Sequence, residues 1–157
     1  MFNALSFPSP VGSLSVFENQ GYIIAVEWGD HIKGEASNLL IEARDQLNAY
    51  FEGKLKAFNL PLNISGSDFQ KSVCQLMLQI PYGETWTYGD LANKLNSSAQ
   101  PVGGACGRNS IPIIIPCHRV MGANDKMTGF SGSGGIKTKE ALLRHEGWIP
   151  KEPDLFS

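Results

Sequence analysis

The sequence predicts a small α/β domain over residues 1–66, a mainly helical domain with a helix-turn-helix over residues 67–149, and a tail over residues 150–157. Three observations lead to this prediction. Short apolar runs separated by turn residues fill the first third of the chain, whereas apolar residues at helical spacing dominate the second half. A connector containing proline and glycine lies between them. A chain of 157 residues is long enough to bury a core in this arrangement.

The predicted N-terminal elements are a hairpin followed by a helix. The segment SLSVFENQGYIIAVEW has two apolar runs around residues 18–21, a pattern typical of a β-hairpin. ASNLLIEARDQLNAYFEG places apolar residues at helical spacing, and Gly53 follows as a stop signal. KLKAFNLPLNISGS contains Pro61 and Gly66 and is predicted to be a connector that includes a little extended structure. We therefore place the domain boundary within this connector.

Three helices are predicted at the start of the second domain. Asp68 is expected to cap a helix through FQKSVCQLMLQI, and Thr87 to cap a short helix, YGDLANKL. Ser97 and Ser98 are expected to open a third helix, AQPVGGACG, in which Pro101 is tolerable because it falls in the first turn. Two short helices joined by a tight turn resemble a helix-turn-helix. A glycine-rich loop, MGANDKMTGFSGSGGIKT, and a last helix, KEALLRHEG, complete the domain.

Small residues fill the third of these helices, and two interpretations of them remain open. They allow either close packing against a neighbouring helix or a surface that approaches a groove closely. The residues concerned are Val102, Gly103, Gly104, Ala105 and Cys106.

Composition excludes several classes of protein. Hydrophobic content of 42% and charged content of 18% are those of a globular chain. The N-terminus lacks the pattern of a signal peptide, no apolar run is long enough to span a membrane, and three irregularly spaced cysteines suit a reducing cytoplasm. The net charge of −2 is uneven, with −4 over residues 1–69 and +3 over residues 70–149. The basic excess is a weak indication of phosphate contact in the second half.

The octamer IIIPCHRV raises the question of what its thiol does. We expect its apolar run to be a buried strand that Pro116 ends just before Cys117. A zinc site is disfavoured, because the cysteines and histidines do not occur in the required pairs. An inert core cysteine is the common default and suits Cys74 and Cys106, but it suits Cys117 poorly because ionisable residues follow at once. The remaining interpretation is a nucleophile.

A cysteine nucleophile needs a base, and the base needs a partner that orients it. His118 is adjacent to Cys117 in sequence, and neighbours in extended chain point to opposite faces, so we expect a relay through a water rather than direct contact. Glu146 is the candidate that orients His118. On this hypothesis the pKa of Cys117 should be depressed.

Three segments in the correct order carry a resemblance to a known family. NSIPIIIPCHRV, together with PYGETWTYGDLA upstream and ALLRHEG downstream, strongly resembles the O6-alkylguanine-DNA alkyltransferases. The resemblance covers roughly residues 68–148. PVGSL and LNAYFEGK resemble the family's ribonuclease-H-like N-terminal domain more loosely.

The resemblance implies a DNA repair protein that acts once. It implies transfer of an alkyl group from O6 of guanine, and also O4 of thymine, to Cys117, with no metal or cofactor. The partner implied is double-stranded DNA, bound by a monomer through the minor groove, with the damaged base flipped into a pocket. We expect the protein in the cytoplasm, on the nucleoid if it is bacterial.

The resemblance also implies a role for particular residues. Cys117 matches the acceptor, His118 the water-linked base, Glu146 its orienting carboxylate, Asn109 the asparagine that ties two turns together, and Tyr88 the donor of a proton to N3 of guanine. The implied substrate-binding residues are Val120, Ser131, Pro112 and Phe130, the last at a position where tyrosine is common. The implied DNA-binding residues are Thr87, Gln100, Val102, Gly103, Ala105, Cys106 and Arg108.

The chain departs from the family pattern at the position that fills the gap left by the flipped base. Gln100 replaces the usual arginine, the preceding loop is about two residues short, and SGSGG is longer than the usual SGG. A protein that mainly binds lesions therefore stays an alternative, and a Cys–His hydrolase is a third. The tail EPDLFS faintly resembles sequences that bind bacterial sliding clamps, although a solvated tail is the favoured interpretation.

Overall fold

A computed structural model describes residues 2–127 and 135–148. It begins with an antiparallel sheet of three strands in sequence order, β1 (Asn3–Phe7), β2 (Leu14–Asn19) and β3 (Tyr22–Trp28). Gln20 and Gly21 both have positive φ, 51° and 82°. Such a pair forms the tight connection whose twist matches that of the strands it joins. The predicted hairpin is therefore confirmed.

Helix α1 (Asn38–Phe51) packs on the sheet, and the helix predicted there is confirmed. Ser37 begins it by accepting a hydrogen bond from the Leu40 amide at 3.1 Å. Its buried face consists of apolar residues three or four positions apart together with one tyrosine. These residues are Leu40, Ala43, Leu47 and Tyr50.

Helix α2 (Asp68–Met77) is present as predicted, but its cap is not Asp68. Ser67 accepts a hydrogen bond from the Gln70 amide, and the Gln70 side chain accepts one from the Ser67 amide. This reciprocal pair satisfies two amides that the helix leaves unpaired. Asp68 instead occupies the first turn, where its carboxylate suits the positive end of the helix dipole.

Two short helices follow, α3 (Tyr88–Lys94) and α4 (Ala99–Gly107), separated by residues 95–98. Thr87 caps α3 as predicted, in a reciprocal pair with Asp90. Ser98 precedes α4 but makes no capping bond with its side chain. Helix α4 packs against both α2 and α3, and α5 (Ile136–His145) closes the described part of the chain.

The octamer IIIPCHRV does not form the expected strand. Residues 112–115 form a tight turn in which Pro112 bridges to Ile115, and Ile113 has a φ of 72°. Pro112 and Pro116 lack the amide hydrogen that a strand ladder needs. Cys117–Arg119 then form one turn of 3-10 helix.

Two short parallel strands join the start of α3 to the end of the octamer. Strand β4 (Trp86–Thr87) pairs with β5 (Val120–Met121), Trp86 opposite Val120 and Thr87 opposite Met121. Tyr88, the first residue of α3, thus directly follows a strand paired with β5, which itself directly follows the turn that carries Cys117.

The sheet and the helical part share one continuous core. Backbone hydrogen bonds join them as well, since the Val26 amide donates to the Ser110 carbonyl at 2.9 Å and the Ile23 amide to the Pro61 carbonyl at 2.8 Å. The connector thus runs beside β3 rather than standing away from it. Over the ranges 2–127 and 135–148, the helices are all too short or too polar to cross a bilayer.

Candidate active site

Cys117 lies at the start of the 3-10 turn, with only 8% of its surface exposed. The turn before it is held by Asn109, whose side-chain amide donates to the Ile115 carbonyl at 2.9 Å and whose oxygen accepts from the Ile111 amide at 3.0 Å. Asn109 also hydrogen-bonds the Cys117 sulfur. A β-branched residue at positive φ, such as Ile113, is strained, and these bonds hold it in place.

Glu146, the residue that ends α5, is the centre of a buried hydrogen-bond network. Its Oε2 accepts from His118 Nε2 at 2.7 Å, from the Tyr50 hydroxyl at 2.6 Å and from Arg119 Nη2 at 3.0 Å. Its Oε1 accepts from Arg119 Nε at 2.8 Å and from the Gly83 amide at 3.4 Å. The predicted pair of His118 and Glu146 is thus in direct contact.

The network fixes the charges of the pair. Burial alone would raise the pKa of Glu146, but hydrogen bonds from His118 and Arg119 outweigh it and hold that pKa well below its usual value. Burial lowers the pKa of His118, although Glu146 opposes this shift. The pair is therefore a carboxylate and a neutral imidazole with its proton on Nε2. His118 Nδ1 is buried and has no hydrogen-bond partner among the described residues, so it is the nitrogen able to take up a proton.

The expectation of a depressed pKa for Cys117 is wrong. Burial raises the pKa of this thiol, and the Asn109 hydrogen bond and the Lys139 charge oppose the shift without reversing it. Burial likewise raises the pKa of Cys74 to about 11 and that of Cys106 to about 12. All three cysteines are free, and the interpretation of Cys74 and Cys106 as core residues is confirmed by their burial.

A buried lysine on α5 contacts the chain just after the turn that carries Cys117. Lys139 is fully buried and donates a hydrogen bond to the carbonyl of Val120. Burial lowers its pKa to about 8, while nearby cysteines oppose that shift. Lys139 thereby anchors α5 to β5 and brings a cation close to the thiol.

The structure brings some of the other predicted residues to this centre and leaves others out. Pro112 and Val120 are buried on either side of Cys117 along the chain, and Thr87 and Tyr88 are partly buried where α3 begins. A Cβ added at Gly103 would lie 4.0 Å from the Tyr88 ring, so Gly103 itself leaves open space beside that ring. Phe130 and Ser131, like the tail, lie outside the described residues.

Part of the predicted DNA-facing side of α4 is buried. Val102, Ala105 and Cys106 are buried against the neighbouring helices, so the expectation that they contact DNA is wrong and the packing interpretation holds for them. Small residues there let α4 approach α2 and α3 closely. Gln100 and Arg108, at the two ends of the helix, are exposed.

Three residues of the site escaped the sequence-based prediction: Tyr50, Arg119 and Lys139. A buried tyrosine needs a partner for its hydroxyl, and buried cations need a carboxylate or a carbonyl. Helical spacing already places Tyr50 on the buried face of α1, and that was the available signal. Lys139 carried no such signal, because its helix periodicity alone does not distinguish a buried lysine from a surface one.

Two family models match successive parts of the chain. Residues 68–148 match the model of the 6-O-methylguanine DNA methyltransferase DNA binding domain, and residues 5–64 match the ribonuclease-like domain of the same enzymes. The methylated-DNA–protein-cysteine methyltransferase of Mycobacterium tuberculosis is 51% identical over 106 residues, which are 66% of this chain and 63% of that relative. The match thus spans less than two thirds of that relative's length.

Other similarities extend over nearly the whole chain. The constitutive methylated-DNA–protein-cysteine methyltransferase of Bacillus subtilis is 39% identical to this chain. The match covers 92% of this chain and 94% of that relative. The crystal structure of the Mycobacterium tuberculosis O6-methylguanine methyltransferase superposes with a TM-score of 0.84, at 37% identity and full coverage of both chains. A structure of the mycobacterial protein in complex with DNA gives 0.82 at 39% identity, with 91% of each chain covered. The chain therefore belongs to the family of methylated-DNA–protein-cysteine methyltransferases.

Proposed function

We propose that the protein repairs DNA by moving an alkyl group from O6 of guanine to its own Cys117, once per molecule. The observation that carries the proposal is the buried thiol beside Asn109, followed directly by a neutral histidine whose Nε2 is bonded to a carboxylate. The names of the relatives and the DNA complex of the mycobacterial protein support the substrate class.

The proton inventory of the reaction follows from the charges of the site. Cys117 Sγ attacks the alkyl carbon, the S–C bond forms and the C–O bond breaks. The thiol proton passes through a water to His118 Nδ1, and the imidazolium is stabilised by Glu146. Tyr88 gives a proton to N3, so the guanine leaves as a neutral base, and the tyrosinate left behind balances the charge of the imidazolium. Because a thioether is stable, the protein is not regenerated.

The burial of the Cys117 thiol determines when its thiolate forms. A raised pKa keeps Cys117 protonated at neutral pH, so the thiolate has to be generated in place by His118 when substrate is bound. A protonated thiol is also less prone to oxidation than an exposed thiolate. The two properties suit a nucleophile that is used only once.

DNA binding is proposed for α3 and α4, acting as a helix-turn-helix that enters the minor groove. The exposed residues Gln100 and Arg108 and the open space that Gly103 leaves beside the Tyr88 ring support this placement. The damaged base would be flipped out of the duplex toward Cys117. We extend the proposal to O4-alkylthymine as a second substrate, to a monomer in the cytoplasm, and to the domain boundary near residue 66.

Mass spectrometry of the intact protein tests the proposed function. After mixing with duplex DNA that contains O6-methylguanine, we expect the protein to gain one methyl group, located on the peptide that contains Cys117. A stable complex without added mass would identify a lesion-binding protein instead. Demethylated DNA with unmodified protein would identify a hydrolase.

Gln100→Arg is expected to accelerate repair of duplex DNA about tenfold. A guanidinium fills the gap left by a flipped base better than a shorter, neutral amide, because it is planar, charged and rich in donors. One hydrogen bond to a charged group is worth roughly 1.5–3 kcal/mol, and the lower end of that range corresponds to about tenfold in rate. Single-turnover rates on O6-methylguanine DNA measure the effect.

Free O6-benzylguanine is the control for Gln100→Arg, since a free base needs no extrusion, and its rate should be unchanged. Equal acceleration on both substrates would place the residue at the chemical site. Unchanged rates on both would show that the shortened loop holds position 100 away from the base stack.

A further inference from the structure

Tyr50 joins the N-terminal part of the chain to the centre of the active site. It lies near the end of α1, is fully buried, and is 96 positions from Glu146 in sequence. Its hydroxyl nevertheless donates a hydrogen bond of 2.6 Å to Glu146 Oε2. This is the same oxygen that accepts from His118 Nε2 at 2.7 Å. Tyr50 therefore contacts the carboxylate atom on which the orientation of His118 depends.

The position of Tyr50 is fixed by its surroundings. Its ring packs against those of Phe51, Tyr82 and His145, with centroids 5.2, 6.2 and 5.0 Å away. Its carbonyl accepts a hydrogen bond of 2.6 Å from Nε2 of His145, the residue before Glu146. Two bonds thus tie the end of α1 to the end of α5, one through the backbone and one through the phenol.

We infer that Tyr50 is a positioning residue for the transfer reaction: it fixes Glu146 Oε2 and, through it, the ring of His118. The inference rests on the proposed function for its catalytic consequence. The N-terminal part of the chain then contributes a side chain to the site, in addition to completing the core.

The Tyr50 hydroxyl also weakens the pull of Glu146 on the His118 proton. Burial and the Glu146 carboxylate hold the pKa of Tyr50 far above its usual value, so the phenol is a donor at every accessible pH. A donor bonded to a carboxylate withdraws part of its negative charge. Without it, Glu146 attracts the proton of His118 more strongly, and the pKa of His118 rises. Among the residues that the structure describes, the other ionisable groups that face the pair are Arg119, Lys139 and Tyr82.

Tyr50→Phe removes the hydroxyl and keeps the ring, and Tyr82→Phe is its matched control. The Tyr82 hydroxyl belongs to the same aromatic cluster but makes only a long bond, 3.5 Å, to the His145 carbonyl and none to Glu146. Both variants lose one phenolic oxygen from the same aromatic cluster. A difference between them therefore reports on the bond to Glu146 rather than on packing.

The first measurement is the ¹⁵N shift of the two His118 ring nitrogens in the whole protein as a function of pH. We expect protonation of His118 to begin at a higher pH in Tyr50→Phe than in the wild type or in Tyr82→Phe. This readout requires no alkyl transfer, so it tests the inference even if the proposed function fails. Superimposable His118 profiles for all three proteins would overturn it.

The second measurement is the single-turnover rate with free O6-benzylguanine across the same pH range, counted per active molecule. We expect Tyr50→Phe to react about tenfold more slowly even where His118 is neutral, because Glu146 Oε2 no longer holds the His118 ring in one orientation, and its acid limb should move to higher pH. A purely structural role would lower only the active fraction and the melting temperature, and that result would overturn the inference. A wild-type protein that transfers nothing would refute the proposed function and leave the NMR result to decide.

Discussion

Cys117→Ser is expected to abolish alkyl transfer while lesion binding persists. A serine hydroxyl has a far higher pKa than a thiol and is a much weaker nucleophile, so His118 cannot activate it at neutral pH. We expect the rate to fall by on the order of 10⁴-fold or more, as for other removed nucleophiles. Transfer of label from O6-methylguanine DNA to the protein measures the rate, and a gel shift measures binding.

Cys74→Ser is the matched control, since Cys74 is also a buried, free cysteine, on the apolar face of α2. It should lose some stability, because a hydroxyl replaces a core thiol, but it should transfer the alkyl group at the wild-type rate. Circular dichroism of both variants establishes that they are folded. Methylation of a folded Cys117→Ser protein would show that the acceptor lies elsewhere and would refute the assignment of Cys117.

The order of helices in the second half was predictable because local signals fix it. Capping residues such as Thr87 and apolar spacing act over a few positions, and these determine where a helix begins and which face is buried. The cap of α2 was misplaced by one residue, because Ser67 and Asp68 both have suitable side chains. Only the partner, Gln70, distinguishes between them.

The apolar pattern of the octamer predicts a strand, but tertiary hydrogen bonds override that pattern. Three isoleucines in succession are typical of a strand. In the structure, Asn109 bonds both sides of the turn and stabilises Ile113 in a left-handed conformation that a β-branched residue otherwise avoids. Similarly, the small residues of α4 suit either a groove or a helix contact, and the packing of α2 and α3 decides between these for Val102 and Ala105.

The electrostatics of the site could be predicted only in outline. The pair of His118 and Glu146 follows from the family resemblance, but the buried contributions of Tyr50 and Arg119 come from segments brought together by folding. The pKa of Cys117 was predicted with the wrong sign, because its burial was not visible in the sequence. Burial outweighs the neighbouring donors, and the site holds a protonated thiol rather than a resting thiolate.

Arg119→Met, which replaces the guanidinium by an apolar side chain of similar length, is expected to destabilise the fold strongly. The guanidinium bonds Glu146 through Nε and Nη2, and its Nη1 donates to the Ile80 carbonyl at 2.7 Å. Both side chains are almost fully buried. Removing one partner of such a pair leaves an uncompensated buried charge and typically costs about 3–5 kcal/mol of folding free energy. Urea unfolding at pH 7 measures this loss.

Arg144→Met is the matched control, since Arg144 is bonded to Glu140 on the exposed face of α5. An exposed ion pair contributes little, so a loss below about 1 kcal/mol is expected there. If both variants lost a similar free energy of unfolding, the buried pair of Arg119 and Glu146 would contribute no more to stability than an exposed ion pair.

The pH dependence of the Arg119→Met loss tests its cause. In the wild type the folded pKa of Glu146 is depressed, so its stabilising contribution is present above the unfolded pKa of about 4.3 and is lost as the pH falls below it. Without Arg119, burial raises the folded pKa of Glu146. The variant therefore loses less folding stability than the wild type when the pH falls. The gap in stability between the two proteins should therefore narrow from pH 7 to pH 4. A gap that stays constant with pH would mean that lost packing, not an unpaired carboxylate, destabilises the variant.

Adding Glu146→Gln to Arg119→Met removes the second charge, and this double variant should regain part of the lost stability without regaining transfer, because His118 then lacks its carboxylate.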